Sequence, residues 1–201
     1  MHIASQSGHL EIVQILIAKG AKIDTNDISG NTSLHLATSY GQKQCLELLI
    51  QKGANIESRN SSGYTPLHSA ASVGQNQTLD ILIQNGANIE SQNNVGRTPL
   101  HIAVENWSSY YGSSKNTVET LIQNGAKLEA KDIHGQTQIQ LAICRKQSSM
   151  VQILLRYGAS LKMRNEDGFN PLEVALILDV FSWNHEKKMN LIKFLTYSGM
   201  M

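Results

Sequence analysis

The sequence repeats itself with a period of 33 residues. Residues 63–71 read GYTPLHSAA, and residues 96–104 read GRTPLHIAV. A glycine followed by alanine recurs at positions 20, 53, 86, 125 and 158, and a second glycine recurs at positions 30, 63, 96, 135 and 168. Both series have spacings of 33, 33, 39 and 33 residues. Two markers that share one period and the same insertion indicate a tandem array of one structural unit.

Each unit predicts a pair of short helices. In the third copy, Thr65 stands where a helix N-cap belongs and Pro66 follows at the first helical position, where its fixed φ and missing N–H cost nothing. Gly74 ends this helix, and apolar residues at helical spacing predict a second helix that ends at Gly86. The polar stretch 87–96 suits an extended hairpin that leads into the next unit.

The predicted helices are too short to be stable alone. A helix of about nine residues is marginal in water, because its nucleation is unfavourable and its apolar face is uncovered. Each helix pair must therefore stack on the units before and after it, which is the arrangement of a solenoid. The sequence predicts an all-α helical repeat solenoid.

These residues resemble the ankyrin repeat family. The resemblance rests on the pattern G-x-TPLH-x-AA, then G, then an apolar helix that ends in LL or LI before x-x-GA, and it covers essentially the whole chain. It implies stacked helix-turn-helix units with projecting β-hairpin loops, in a single domain over residues 1–201. The expected repeats span residues 1–26 (partial), 27–59, 60–92, 93–131, 132–164 and 165–201 (degenerate).

The repeated histidines are predicted to be structural. Each lies three residues after a threonine, one helical turn inside the cap, where its ring can share a hydrogen bond with the hydroxyl group. A repeated catalytic histidine would need a repeated nucleophile and oxyanion site, and the sequence has neither. The resemblance likewise implies a structural network, formed by Thr32, His35, Thr65, His68, Thr98 and His101.

Several classes of function are not expected. The sequence has no phosphate-binding loop, dinucleotide fingerprint, HExxH or GxSxG motif, so we predict no enzyme activity, catalytic residue, cofactor, bound metal or small-molecule substrate. The net charge of +1 does not favour nucleic acid as a partner. No apolar run approaches the roughly 18 residues of a membrane span, so we predict no direct membrane insertion.

The cysteine content favours an intracellular protein. Cys45 and Cys144 lie 99 residues apart without a CxxC motif, so neither a disulfide scaffold nor a zinc site is expected. We predict a reduced, monomeric protein of the cytoplasm or nucleus, with secretion as an effector as the alternative.

Candidate partner-binding residues occupy the hairpins and the ends of the first helices, which face a concave groove in the family that the chain resembles. Several are aromatic, apolar or arginine side chains, which anchor many protein interfaces. The alternative is that isolated exposed apolar residues are ordinary surface features. The candidates are Ile28, Asn31, Tyr40, Tyr64, Val73, Arg97, Ile133, Arg145 and Phe169.

The six-residue insertion in the fourth repeat is a further candidate. It lies within ENWSSYYGSSKN and carries Trp107, Tyr110 and Tyr111 in a chain that is only 5% aromatic. A loop on a rigid scaffold often carries function, so these rings are predicted to contact a partner. The alternative is a lid whose rings pack on a neighbouring helix.

The function predicted from these features is a non-catalytic scaffold that binds a partner protein through the groove. Two alternatives remain: a fragment of a larger multidomain protein of the channel, toxin or ubiquitin-adaptor type, or a secreted effector that mimics host proteins. Met1 stands at the leucine position of TPLH, and Ile12, Ile15 and Leu16 give the first repeat little polar cover. We therefore expect either a piece of a longer array or a short form with a poorly protected end.

Overall fold

The computed structural model describes residues 1–106 and 113–182, and the secondary structure found there is α-helical. Within these residues there is no β-strand. The eleven helices are α1 (His2–Gln6), α2 (Leu10–Ala18), α3 (Ser33–Ser39), α4 (Lys43–Gln51), α5 (Pro66–Val73), α6 (Asn76–Gln84), α7 (Pro99–Glu105), α8 (Ser113–Gln123), α9 (Gln138–Cys144), α10 (Ser148–Arg156) and α11 (Pro171–Ser182).

The chain divides into two compact units. The N-unit, Met1–Ala126, contains α1 to α8, and the C-unit, Lys127–Met201, contains α9 to α11. In the N-unit the odd-numbered helices pack side by side in one row, and the even-numbered helices pack in a second row. Each odd-numbered helix also packs on the even-numbered helix that follows it. In the C-unit, α9 packs against α10 and α11. The predicted all-α repeat fold is confirmed.

The core of the N-unit lies between its two rows of helices. Leu34, Leu67 and Leu100, the leucines of successive first helices, are at most 1% exposed, and Leu49 and Leu82 of the second row are fully buried. Full burial of a leucine side chain contributes about 1.5–3 kcal/mol. The same positions are buried in the second and third repeats, so each of these repeats adds a similar layer to the core.

The first helices begin where the sequence indicates. Thr65 has the extended backbone conformation of an N-cap (φ −83°, ψ 166°), and Pro66 is the first residue of α5. Thr32, Thr98 and Thr137 cap α3, α7 and α9 with similar angles. The threonine of this motif is therefore a helix start that recurs in the second to the fifth repeat.

A recurring Asp or Asn shapes the tip of each loop between repeats. The side-chain oxygen of Asn60 accepts hydrogen bonds from the backbone N–H groups of Ser62 and Tyr64, both at 3.0 Å. Asn93, one repeat later, does the same at 3.0 and 2.9 Å. These residues were not predicted from the sequence, although they recur three residues before the second glycine of each repeat. Their equivalents in the other repeats are Asp27, Asp132 and Asn165.

Successive tips are joined through their backbones. The N–H of Ser61 donates to the carbonyl of Ser29 at 3.0 Å, and the N–H of Asn94 donates to the carbonyl of Ser62 at 3.2 Å. The C-unit repeats the contact from Glu166. Each loop is thus held in register with the loop before it.

Carboxylate side chains form a second connection between repeats. Asp24 accepts the backbone N–H of Asn55 at 3.1 Å. One repeat later, Glu57 accepts the N–H of Asn88 and the hydroxyl of Ser91, both at 2.8 Å. Since each acceptor belongs to one repeat and each donor to the next, these bonds fix the stacking register.

A pair of glycines tests the contact between tips. Gly63 and Gly53 both have positive φ, at +75° and +86°. A Cβ atom added at Gly63 would lie 2.6 Å from the backbone nitrogen of Asn94, whereas one added at Gly53 would meet nothing within 4 Å. Both alanine variants incur about 1–2 kcal/mol of left-handed strain. Gly63→Ala alone must also displace the neighbouring tip, so we expect it to lower the free energy of unfolding by about 1–3 kcal/mol more than Gly53→Ala does.

Chemical denaturation of the two variants measures this difference. Equal losses in the two variants would show that the tips are not in close contact.

Candidate functional site

The threonine and histidine of each TPLH motif form a buried hydrogen-bonded pair. The backbone N–H of Thr65 donates to Nδ1 of His68 at 3.2 Å, and the Thr65 hydroxyl lies 2.9 Å from the same nitrogen. Because Nδ1 accepts a backbone N–H, it carries no proton, and Nε2 must carry the hydrogen of the neutral ring. Nε2 donates to the carbonyl of Arg97 in the next repeat at 2.9 Å. The imidazole therefore connects its own helix cap to the following tip.

Other repeats contain the same threonine–histidine pair. His35 pairs with Thr32 and donates to the carbonyl of Tyr64 at 2.8 Å, and His101 pairs with Thr98 at 2.9 Å. These contacts agree with the geometry expected from the spacing of the motif.

Two further residues belong to this network, of which His2 was not identified from the sequence. His2 stands at the histidine position of the first repeat, and its Nε2 lies 2.8 Å from the carbonyl of Thr25. In the C-unit, Gln140 replaces histidine: its Oε1 accepts the N–H of Thr137 at 3.0 Å, and its Nε2 donates to the carbonyl of Phe169 at 2.8 Å. The 33-residue spacing from His35 back to His2 was the available signal.

Burial keeps the imidazoles of His35 and His68 neutral. His35 and His68 are at most 1% exposed. Desolvation by burial lowers the pKa of His35. It is also the main cause that lowers the pKa of His68 from 6.5 to about 4, with a smaller contribution from the charge of Arg59. A ring with both nitrogens engaged in backbone contacts and no exposed surface cannot reach a substrate, so the geometry supports a structural role.

A second group of candidates lies on a continuous surface of the N-unit, which we call the tip–helix face. Arg97 of a tip contacts Glu105 at a helix end, with 2.6 Å between Nη1 and Oε2. The side-chain amide of Asn106 donates to the hydroxyl of Ser72 at 3.2 Å and so joins neighbouring helix ends. The face consists of the tips 27–31, 60–64 and 93–97 and the helix ends 39–40, 72–73 and 105–106.

The tip–helix face presents apolar and aromatic side chains to solvent. Ile28 is fully exposed, Tyr40 is 54% exposed and Val73 is 50% exposed. Tyr64 is half-buried, and its ring stacks on the His68 ring with 5.4 Å between centroids. Asn31 is also half-buried and its side-chain oxygen accepts the amide of Asn60 at 2.9 Å. Only part of this set is therefore accessible, chiefly Ile28, Tyr40 and Val73.

Arg97 is held within the surface by an ion pair. Its side chain and that of Glu105 are each only 18% exposed. Burial raises the pKa of the nearby Tyr64 hydroxyl, and the carboxylate of Glu105 raises it further, so this hydroxyl stays protonated. The charges of Arg97 and Glu105 offset one another, which leaves this end of the face nearly neutral.

The candidates of the C-unit occupy equivalent positions. Ile133 is 50% exposed, Phe169 is 40% exposed and Arg145 is exposed at the end of α9. Gln136 and Cys144, which stand where Arg97 and Glu105 stand in the N-unit, are 3.8 Å apart from Nε2 to Sγ. Trp107, Tyr110 and Tyr111 lie outside the described residues.

Other kinds of site have little support in the described part of the chain. Residues 1–106 and 113–182 contain no cluster of three or more His, Cys, Asp or Glu side chains suited to a metal ion. No helix in this part is long and apolar enough to span a bilayer. Cys45 and Cys144 form no disulfide, and burial raises the pKa of each thiol, which disfavours the reactive thiolate.

Comparisons with known proteins identify one family. A family model described as ankyrin repeats (3 copies) matches residues 1–60, 57–132 and 106–196, which together include nearly the whole chain. A search of curated proteins finds no significant match.

Because the buried imidazoles are neutral, we expect the free energy of unfolding to fall in acid. Unfolded His68 binds a proton near pH 6.5, whereas the folded protein binds it only near pH 4, so stability falls as the pH falls through this range. Gln140 shows that an amide can make both contacts without titrating. We therefore expect His68→Gln to reduce the loss of unfolding free energy between pH 7.5 and 4.5 by about 2–3 kcal/mol.

Denaturation curves at both pH values measure this change. His68→Ala serves as the control: it also removes the titrating ring, but it leaves buried backbone groups unpaired and should lower stability at pH 7.5 by about 1–3 kcal/mol. If the unfolding free energy of His68→Gln fell between pH 7.5 and 4.5 by as much as that of the wild-type chain, this would contradict His68 as the origin of the acid sensitivity.

Proposed function

Because the chain belongs to the ankyrin repeat family, we propose that it is a non-catalytic scaffold that binds a partner protein through the tip–helix face. Ankyrin repeats are generally protein-interaction modules and are typically non-enzymatic. The partner would span several tips and helix ends, as expected for a surface built by repetition.

The distribution of exposed apolar side chains carries this proposal. In the described part of the N-unit, seven large apolar side chains are exposed, and four of them lie on the tip–helix face: Ile28, Tyr40, Val73 and Val95. The other three lie in the first helix pair. Exposed apolar groups that cluster on one face, rather than scattering singly, are typical of an interaction surface.

The polar groups of the face support the same function by fixing its shape. Hydrogen bonds join the tips of consecutive repeats, and the ion pair of Arg97 and Glu105 joins a tip to a helix end. A face whose backbone is already ordered loses little conformational entropy when a partner binds. Tyr40 and Val73, which stand at equivalent ends of α3 and α5, can then act as anchors in a fixed arrangement.

The proposal extends to the remaining candidates. Ile133, Arg145 and Phe169 would contact a partner at the C-unit, and Trp107, Tyr110 and Tyr111 would do so from the insertion. The scaffold would act as a monomer in the cytoplasm or nucleus.

A matched set of variants tests the proposed face. Proteins captured from cell extract by the wild-type chain are purified, and their dissociation constants are measured by calorimetry. We expect Tyr40→Ser and Val73→Ser each to weaken binding about tenfold or more, because each removes an exposed anchor. Ile15→Ser is the control, since Ile15 is 59% exposed but lies on α2, away from the face.

Two results would count against the proposal. Failure of the wild-type chain to bind any captured protein directly would remove the scaffold function. Equal affinity of all variants would show that the partner contacts another surface.

A further inference from the structure

The tip–helix face of the N-unit has three charged side chains, and each of them has a partner within the face. Arg97 and Glu105 form an ion pair in which each side chain is 18% exposed. The carboxylate of Asp27 accepts the backbone N–H groups of Ser29 and Asn31, both at 2.8 Å, inside its own tip. The charges of the face therefore stabilise the face itself.

The groups that the face exposes are apolar side chains and hydroxyls. Its exposed large apolar side chains are Ile28, Tyr40, Val73 and Val95. Ser29 and Ser62, at equivalent positions of neighbouring tips, are exposed as well and add neutral hydroxyl groups. A partner that lies on this face thus meets an apolar surface with neutral polar groups between its anchors.

The exposure of these positions is a property of the repeat and does not depend on an end of the array. The position of Ile28 is exposed again at Ser61 and Asn94 in the next two tips. The position of Tyr40 is exposed again at Val73, although α3 and α5 each pack against first helices on both sides. A partner must therefore lie across the repeats to cover these side chains.

A neutral, apolar surface selects against charged groups in the partner. A charged side chain placed against Tyr40 or Val73 would lose its water and gain no counter-charge, because the charges of the face are already paired. Arg59, which borders the face, donates to the carbonyl of Gln92 in the following loop. An apolar side chain at the same place would gain by removing Tyr40 and Val73 from water.

We infer that the partner docks on the tip–helix face through an apolar segment that is uncharged where it meets Ile28, Tyr40 and Val73. This inference rests on the proposed function and adds the chemistry of the partner to it. Since no ion pair forms across the interface, the affinity is independent of salt, and recognition does not use electrostatic steering.

A display library of random peptides supplies the probe. Peptides selected on the wild-type chain are synthesised, and those that bind Tyr40→Ser about tenfold or more weakly are taken as ligands of the face. We expect them to contain fewer Asp, Glu, Lys and Arg residues than the unselected library. Their Kd should change by less than about twofold between about 0.05 and 0.5 M NaCl. Ile15→Ser, on α2 and away from the face, should leave their Kd unchanged.

Two variants of opposite charge at one position give a sharper measurement. Ser62 holds its tip through its backbone, whose N–H donates to Asn60 and whose carbonyl accepts from Asn94, so these contacts survive a change of side chain. Ser62→Lys and Ser62→Glu should shift the Kd of a face-binding peptide in the same direction, to values within about threefold of each other. A charged peptide would instead bind one variant more tightly and the other more weakly than the wild-type chain.

Three results would overturn the inference. These are opposite changes in Kd for Ser62→Lys and Ser62→Glu, a selection dominated by acidic or basic peptides, and a selection that gives no peptide dependent on Tyr40. The proposed function is decided separately, by direct binding of captured whole proteins to the wild-type chain. Whole proteins that bind through Tyr40 and Val73 with a steep dependence on salt would leave the scaffold function in place and remove the uncharged partner.

Discussion

The stability of each repeat comes from the burial of short helices against their neighbours. None of the helices α1 to α7 exceeds nine residues, a length that is marginal alone in water. In the N-unit the apolar sides of these helices meet the same sides of the next pair, so that Leu34, Leu67 and Leu100 form one continuous core. A core built in this way can be extended by repetition, but an individual helix pair gains its order only from contact with another.

Apolar stacking alone would allow the repeats to slide, and the polar contacts between them prevent this. The imidazole of His68 accepts from the cap of its own helix and donates to the next tip, while Glu57 binds the next loop and the tips bind one another. A shift by one residue would break all of these bonds. It would also leave the buried groups of Thr65 and His68 unpaired, at a cost of about 1–3 kcal/mol each. The polar groups therefore select one register from the many that apolar contact would tolerate.

The exposed anchors of the candidate interaction surface stand at positions whose side chains this network does not use. At the end of successive first helices the chain carries Tyr40, Val73 and Asn106, three side chains with different chemistry at one structural position. The N-cap threonines and the buried leucines, by contrast, keep one identity across the same repeats. Variation at exposed positions on an invariant frame allows one fold to present different surfaces.

The sequence predicted the fold and the histidine pairs well because both depend on local spacing. Thr65 and His68 are three residues apart, so a single helical turn determines whether they meet. The ion pair of Arg97 and Glu105 was not predicted, because those residues lie on a loop and on the far end of a helix and meet only through the path of the chain. The exposure of Tyr40 and the burial of Tyr64 likewise depend on neighbouring repeats.

The nearest-neighbour arrangement of the N-unit also determines how it responds to force. The closely packed helices belong to the same repeat or to consecutive repeats. Tension applied along the row is therefore carried by each boundary in series, and detaching a terminal pair leaves the remaining boundaries intact. Under tension, such a row of helix pairs unfolds in small steps, and each pair can refold onto its neighbour separately.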